Sequence, residues 1–289
     1  MALADIIAEL NHSAGIVCDG SAERIGGGSS NEVFRLPSSK GPLLVKVNTA
    51  NRVDMFEAEA AGIEALRQAQ AVSVPVVHAC GKTEHRAFLV LQWIEFAPNR
   101  RKAEARLGRE LAKQHAQSSE TFGWHAENTI GMTPQLNTPR ADWTDFLGEF
   151  RLAYQLELAA RNGLDRDCCA DVERLLDRLD EFFEIHQPRP SLLHGDLWSG
   201  NWGATDDGRP YIFDPAVYFG DREADLAMTR LFDGFSQEFY RAYEEVWPLE
   251  PGWQQRVVLY NLYHLLNHFN LFGHAYVGQL RASLSQLAG

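Results

Sequence analysis

Between residues 192 and 214 the chain reads LLHGDLWSGNWGATDDGRPYIFD, and few folds accommodate that stretch. Two leucines lead into His194-Gly195-Asp196, Asn201 follows five residues after the aspartate, and the chain returns through Pro210-Tyr211-Ile212-Phe213 to Asp214. This pattern predicts a strand, a loop bearing a carboxylate, and a hairpin. Asp207-Gly208 is a strong two-residue turn signal. A hairpin centred on it sets position 201 opposite position 214 as a non-hydrogen-bonded pair with both side chains on one face. Asn201 and Asp214 would then present an amide oxygen and a carboxylate side by side, a donor set suited to Mg²⁺.

One short loop away, Asp196 is free to take a proton from a substrate hydroxyl. A base near the attacking oxygen, with metal ligands that neutralise charge on phosphates, is what phosphoryl transfer requires. The competing interpretation is a turn rich in Asp and Asn whose side chains bond their own backbone, which leaves the pairing of Asn201 with Asp214 unexplained.

A second constellation lies upstream. The apolar strand Leu43 to Val47 puts Lys46 on the opposite face from Val45 and Val47. The helix expected over 52–70 aligns Met55, Phe56, Ile63 and Leu66 on one face, with Glu59 in the middle of the stripe. A carboxylate on a buried face needs a cation partner, and Lys46 is the natural one. Such a lysine, held by a helix glutamate, is aimed at the α and β phosphates in kinases. The alternative is a snorkelling lysine beside an exposed glutamate.

Strands ending at Ile25, over Glu32 to Leu36 and over Leu43 to Val47, then one starting near Val74 and one over 87–94, give five strands with one helix in the first ninety-odd residues. Between the first two strands, Gly26-Gly27-Gly28-Ser29-Ser30 can lie over phosphates, with Gly27, Gly28 and Ser29 as the candidate contacts, because such a turn brings backbone N–H groups close. It also reads as a plain flexible hairpin. Gln92, Trp93 and Ile94 begin the connection to a second part of the chain, where backbone groups can meet an adenine edge. From Pro98 onward the pattern is helical, with amphipathic stretches over 100–118, 141–162 and 167–184, and further helices near 222–233, 236–246, 252–271 and at the C-terminus. The expected fold class is α+β with two lobes, residues 1–95 and 96–289. The loop 122–137 carries His125, which reads as a substrate contact or a surface histidine.

Of 289 residues, 39 are acidic and 27 basic, a net charge of −12, and the longest basic run is Arg100-Arg101-Lys102. That excludes a nucleic-acid or anionic-membrane surface as the expected partner, and a small molecule is expected instead. Cys18, Cys80, Cys168 and Cys169 lack metal or redox spacing, which suggests a reducing compartment. The N-terminus lacks a signal-peptide core, and the apolar stretch 256–272 is interrupted by Asn261, His264, Asn267, His268 and Asn270. A soluble, cytoplasmic protein is the expectation.

HGDLWSGN (194–201) followed by IFDPAVYFGDREADLAM (212–228) resembles the fructosamine kinases, also called ketosamine kinases, within the superfamily of aminoglycoside phosphotransferases and choline kinases. LLVKVN, MFEAEAAGIEAL, VPVV and the run from FGW through Trp143 and Arg151 extend the resemblance over nearly the whole chain. The resemblance implies a protein-kinase-like fold and ATP-dependent phosphorylation of the C3 hydroxyl of a ketosamine, giving an unstable product that releases the amine, a deglycation. It implies ATP and Mg²⁺ as cofactors, Asp196 as base, Asn201 and Asp214 as metal ligands, and Lys46 with Glu59 as the phosphate-positioning pair. His194 would brace the loop, and Asp225 would hold its backbone, unless Asp225 is only a first-turn carboxylate favoured by the helix dipole. Trp198 would border the sugar or be a core tryptophan. Gly26 to Asn31 departs from the protein-kinase Gly-x-Gly-x-x-Gly pattern, which puts the phosphate contacts of that loop in doubt. Two other readings stay open: an aminoglycoside- or choline-type phosphotransferase with another alcohol acceptor, and a nucleotide-binding pseudokinase that serves as an interaction module.

Overall fold

The computed structural model describes residues 3–25 and 31–288, so the expected phosphate contacts Gly27, Gly28 and Ser29 lie outside the described residues. The chain divides into two compact units, 1–100 with 203–214, and 101–202 with 215–289.

The first unit runs α1 (Ala4–Ser13), β1 (Glu23–Ile25), β2 (Glu32–Leu36), β3 (Leu43–Thr49), α2 (Val53–Gln68), β4 (Val77–Lys82) and β5 (Arg86–Gln92). The strands form one antiparallel sheet in the order β1-β2-β3-β5-β4. Period-two alternation splits β3 between two environments. Val45 and Val47 join Phe34, Leu36, Phe88 and Val90 in a cluster closed by Ile6 and Leu10 of α1. Lys46 points the other way, and in α2 Phe56, Ile63 and Leu66 are buried as the helical spacing requires, with Met55 only half-buried. The strand expected from Val74 begins at Val77, because Pro75 has no N–H to give a ladder.

The second unit opens with α3 (Glu104–His115), the hairpin β6 (Asn128–Ile130) and β7 (Thr133–Gln135), and a long helix that begins as α4 (Trp143–Phe146), widens to a π-helix over Leu147–Ala153 and ends as α5 (Tyr154–Arg161). Then come α6 (Arg166–Leu176) and β8 (Ser191–Leu193). Here the hairpin of β9 (Trp202–Ala204) and β10 (Pro210–Ile212) returns the chain to the first unit. Ile212 N–H donates to Ser73 O (3.0 Å), Ala97 N–H donates to Ala204 O (2.8 Å), and Phe96 stacks on Phe213 at 5.5 Å. A division at residue 95 would have left this hairpin in the second lobe; it clusters with the first. The second unit resumes with β11 (Tyr218–Gly220), antiparallel to β8, and with α7 (Arg222–Leu231), α8 (Gln237–Glu244), α9 (Trp253–Phe272) and α10 (Val277–Leu287). The loop 122–137 is built by the β6–β7 hairpin, and its Asn128 and Gln135 donate to Val217 O and Ala216 O. His125 there is exposed beside Trp124.

α7 is buried from Arg222 to Thr229, so its charged residues need partners. Arg256 of α9 grips Glu223 through Nε and Nη2 at 2.7 and 2.9 Å. Asp221 accepts from Tyr260 Oη at 2.5 Å and from His186 Nε2 at 2.8 Å, while His186 Nδ1 faces Glu250 at 2.8 Å. His186, Asp221 and Glu223 bring their donor atoms within 4.8 Å of one another, close enough to chelate an ion. Their chemistry is that of an ion-pair network. A carboxylate on each ring nitrogen favours the imidazolium, which has no lone pair for a metal, and Arg256 occupies both oxygens of Glu223.

Burial alone would drive that imidazolium toward neutrality, but Asp221 and then Glu250 and Glu223 outweigh it and raise its pKa above the ordinary histidine value. A raised folded-state pKa contributes stability that is complete below about pH 6.5 and is lost as pH rises through the folded value. Urea unfolding of wild type and His186→Gln should therefore differ most at about pH 6 and converge toward about pH 9. A gap independent of pH would show that His186 contributes by packing alone.

Candidate active site

In the first unit, Lys46 sits on the central strand β3, between Val33 and Leu89 in register. Its Nζ lies 2.6 Å from Glu59 Oε1 and 2.6 Å from Asp214 Oδ1. Its side chain is 8% exposed, that of Asp214 46%. Burial works against the ammonium, yet Asp214 and Glu59 more than compensate and push its pKa up, which favours the charged form. The expected Lys46–Glu59 pair is present. The third member was not foreseen: Asp214 faces the lysine directly.

That contact follows from the hairpin. Its loop has three residues, with Gly208 N–H donating to Thr205 O (2.8 Å) and Thr205 N–H to Arg209 O (3.1 Å). Gly208 takes φ +75°, the left-handed bulge position that completes such a loop. The two-residue turn expected at Asp207-Gly208 is thereby corrected, and the register shifts by one residue, so strand alternation does not set Asn201 against Asp214. Asp207 drives the change, since its carboxylate accepts from Thr205 Oγ1 and Arg209 N–H and stabilises the longer loop. Asp214 instead follows the strand with φ +57°, a left-handed backbone uncommon outside glycine, which turns its carboxylate to Lys46.

In the second unit the loop after β8 is suspended from α7. His194 N–H and Gly195 N–H donate to Asp225 Oδ2 and Oδ1 at 2.7 and 2.8 Å. Asp225 is fully buried, so it is a structural anchor and more than a dipole partner. Gly195 has φ +83°, and a Cβ there would lie 2.0 Å from Ala216 O; only glycine permits the turn. His194 is buried, and its Nδ1 accepts from Asp196 N–H at 3.2 Å. Asn201 closes the loop, its Nδ2 donating to Asp196 O (2.8 Å) and Oδ2 (3.2 Å). Because the amide nitrogen is spent on Asp196, the carbonyl Oδ1 is the end that could bind a hard cation. Trp198 is 40% exposed, so it is not a core tryptophan.

In the segment after β5, Gln92 N–H donates to Val76 O and Trp93 N–H to Pro42 O, while Trp93 Nε1 donates to Glu95. Ile94 is half-buried. Sequence reasoning missed His115 and Tyr243, which stand behind Asp225, because no motif marks either.

A five-stranded antiparallel sheet with a lysine on its central strand, a helix glutamate against it and a suspended His-Gly-Asp loop defines a kinase-like phosphotransferase. The fructosamine kinase family model matches residues 3–288. A probable ketoamine kinase of Synechocystis sp. is 44% identical over 263 residues, 91% of this chain and 88% of its own. A chloroplastic protein-ribulosamine 3-kinase of Oryza sativa subsp. indica is 42% identical, covering 87% and 74%. Among solved structures, a Thermobifida fusca protein described as a putative fructosamine-3-kinase superposes with a TM-score of 0.88 at 33% identity over 98% of each chain. An aminoglycoside phosphotransferase, 18% identical with a TM-score of 0.68 over 99% of each chain, shares the fold. The chain belongs to the fructosamine kinase family. It is a phosphotransferase whose acceptor is a hydroxyl group.

Proposed function

We propose that this protein transfers the γ-phosphoryl group of ATP to the C3 hydroxyl of a ketosamine, with fructosamine or ribulosamine conjugates as acceptors. The observation that carries the reading is the loop 194–201, whose backbone is held by two bonds to Asp225 and one from Asn201, while a second bond from Asn201 reaches the Asp196 carboxylate. A fixed acceptor is what a general base needs. Asp196 takes the proton from the sugar hydroxyl as that oxygen attacks, in line with the departing ADP oxygen. His194 braces the loop from within the core. Trp198 offers an exposed aromatic face to the C–H side of the sugar.

Lys46, oriented by Glu59, is assigned to the α and β phosphates, and the backbone of Gln92 to Ile94 to the adenine edge. Asn201 and Asp214 are assigned to Mg²⁺ on the chemistry of each alone, since an amide oxygen and a half-exposed carboxylate are hard oxygens of the kind it takes. Mg²⁺, when bound, would neutralise charge on the phosphates. The net charge of −12 makes local cations necessary for a nucleotide to approach at all. The phosphorylated product releases its amine, so the activity is a deglycation.

Among the described residues no helix is long and apolar enough to cross a membrane. The four cysteines are unpaired, which supports assignment to a reducing compartment such as the cytoplasm. ATP consumption with a panel of fructosamine and ribulosamine amino-acid conjugates, choline and an aminoglycoside tests the reading. Turnover confined to the ketosamines is expected. Turnover with choline or the aminoglycoside alone would overturn the acceptor assignment, and nucleotide binding without turnover would favour an interaction module.

A further inference from the structure

Behind Asp225 runs a buried chain of polar groups. Arg222 Nη1 lies 3.4 Å from Tyr243 Oη, Tyr243 Oη 2.8 Å from His115 Nδ1, and His115 Nε2 3.0 Å from Asp225 Oδ2. All four side chains are buried. One assignment of hydrogens satisfies them together. The carboxylate only accepts, so His115 carries its proton on Nε2. Its Nδ1 is then a lone pair that takes the Tyr243 hydroxyl hydrogen, and the Tyr243 oxygen accepts from Arg222. A doubly protonated His115 would leave the tyrosine oxygen between two donors and its hydrogen without an acceptor. Every hydrogen in the chain therefore points toward Asp225.

We infer that His115 is a positioning residue for the phosphoryl transfer: oriented by Tyr243, its Nε2–H keeps Asp225 ionised, and through it holds the His194 and Gly195 amides that set Asp196. The inference rests on the kinase reading of the loop. Burial pushes the Asp225 carboxyl up, but His115, His194 and the loop amide more than offset it and hold it below the usual aspartate value. The groups that face Asp225 are His115 from α3, His194 from the loop, Tyr218 from β11, Tyr243 from α8 and His264 from α9. On its own helix Arg222 is engaged with Tyr243, Trp247 O and Pro248 O. His115 gives the carboxylate a side-chain hydrogen bond at 3.0 Å.

The test follows kcat and the KM for ATP from about pH 4 to about pH 9 in wild type, His115→Phe, His115→Gln and Tyr243→Phe. His115→Phe should lower kcat on the order of 10²-fold through misplacement of the base. The KM for ATP should stay within about twofold. Its acid limb of kcat should move up by about one unit or more, since activity fails as Asp225 protonates on lowering the pH. His115→Gln, whose amide can donate from nearly the place of Nε2, should recover most of kcat, a rescue that packing alone does not predict. Wild-type kcat and an unmoved acid limb in His115→Phe would overturn the inference, as would a folded His115→Gln no better than Phe. If His115→Phe does not fold, Tyr243→Phe decides by the same limb. If wild type turns over no ketosamine, the activity reading fails separately. Amide exchange at His194 and Gly195, faster in the variants if the relay holds and unchanged if it does not, then decides.

Discussion

Asp196→Asn should cost on the order of 10²–10⁴ in kcat, the span general-base catalysis supplies. The substitution keeps shape and most hydrogen bonds: Asp196 N–H still meets His194 Nδ1 and Asp196 O still accepts from Asn201. It removes the one property at issue, the capacity to take a proton. Steady-state kinetics with a ketosamine acceptor, together with thermal unfolding and nucleotide affinity, separate the outcomes. Preserved folding and nucleotide binding with kcat lost is the expected result, while undiminished transfer would take Asp196 out of the base role.

Arg256→Ala should destabilise the fold by about 3–5 kcal/mol, the cost of leaving a buried carboxylate without its cation. Glu223 and Arg256 expose 1% and 2% of their side chains, so neither has water as an alternative partner. Against a total stability of about 5–15 kcal/mol that loss is large. Replacing both residues with apolar side chains should cost less than the single change, because no orphaned charge remains. Equilibrium unfolding in urea reads both. A loss under about 1 kcal/mol for Arg256→Ala would mean that Glu223 protonates or finds another donor. Because Glu223 lies two residues before Asp225, the single variant should also loosen the loop that Asp225 holds.

Periodicity made much of this architecture visible in the sequence. Strand β2 spans the residues expected of it, and Lys46 meets Glu59 because period two in a strand and 3.6 in a helix leave little choice of face. The suspended loop was legible too, since His194, Asp196 and Asn201 lie within eight residues and bond in sequence, Asp196 to His194 and Asn201 to Asp196. Long-range and irregular features were not. The Asp207-Gly208 signal marked the turn correctly but gave its length wrongly, because the Asp207 side chain stabilises a three-residue loop as well as its backbone could form a shorter one. Lys46 and Asp214 stand 168 positions apart and meet through a left-handed residue that no propensity scale favours. His115 is a polar atom set on a helix face that otherwise reads as apolar, and its purpose is visible only once Asp225 is in place.

The return of residues 203–214 to the first unit has a consequence for synthesis. A ribosome that has released residue 100 has made the whole five-stranded sheet and α2, yet Ser73 O and Phe96 still lack the hairpin that later engages them. Lys46 can find Glu59 at that point but must wait for more than a hundred further residues before Asp214 emerges. The first unit is thus completed only after the loop 194–201 has left the exit tunnel, so Lys46 cannot acquire both of its counter-charges before Asp196 has been made.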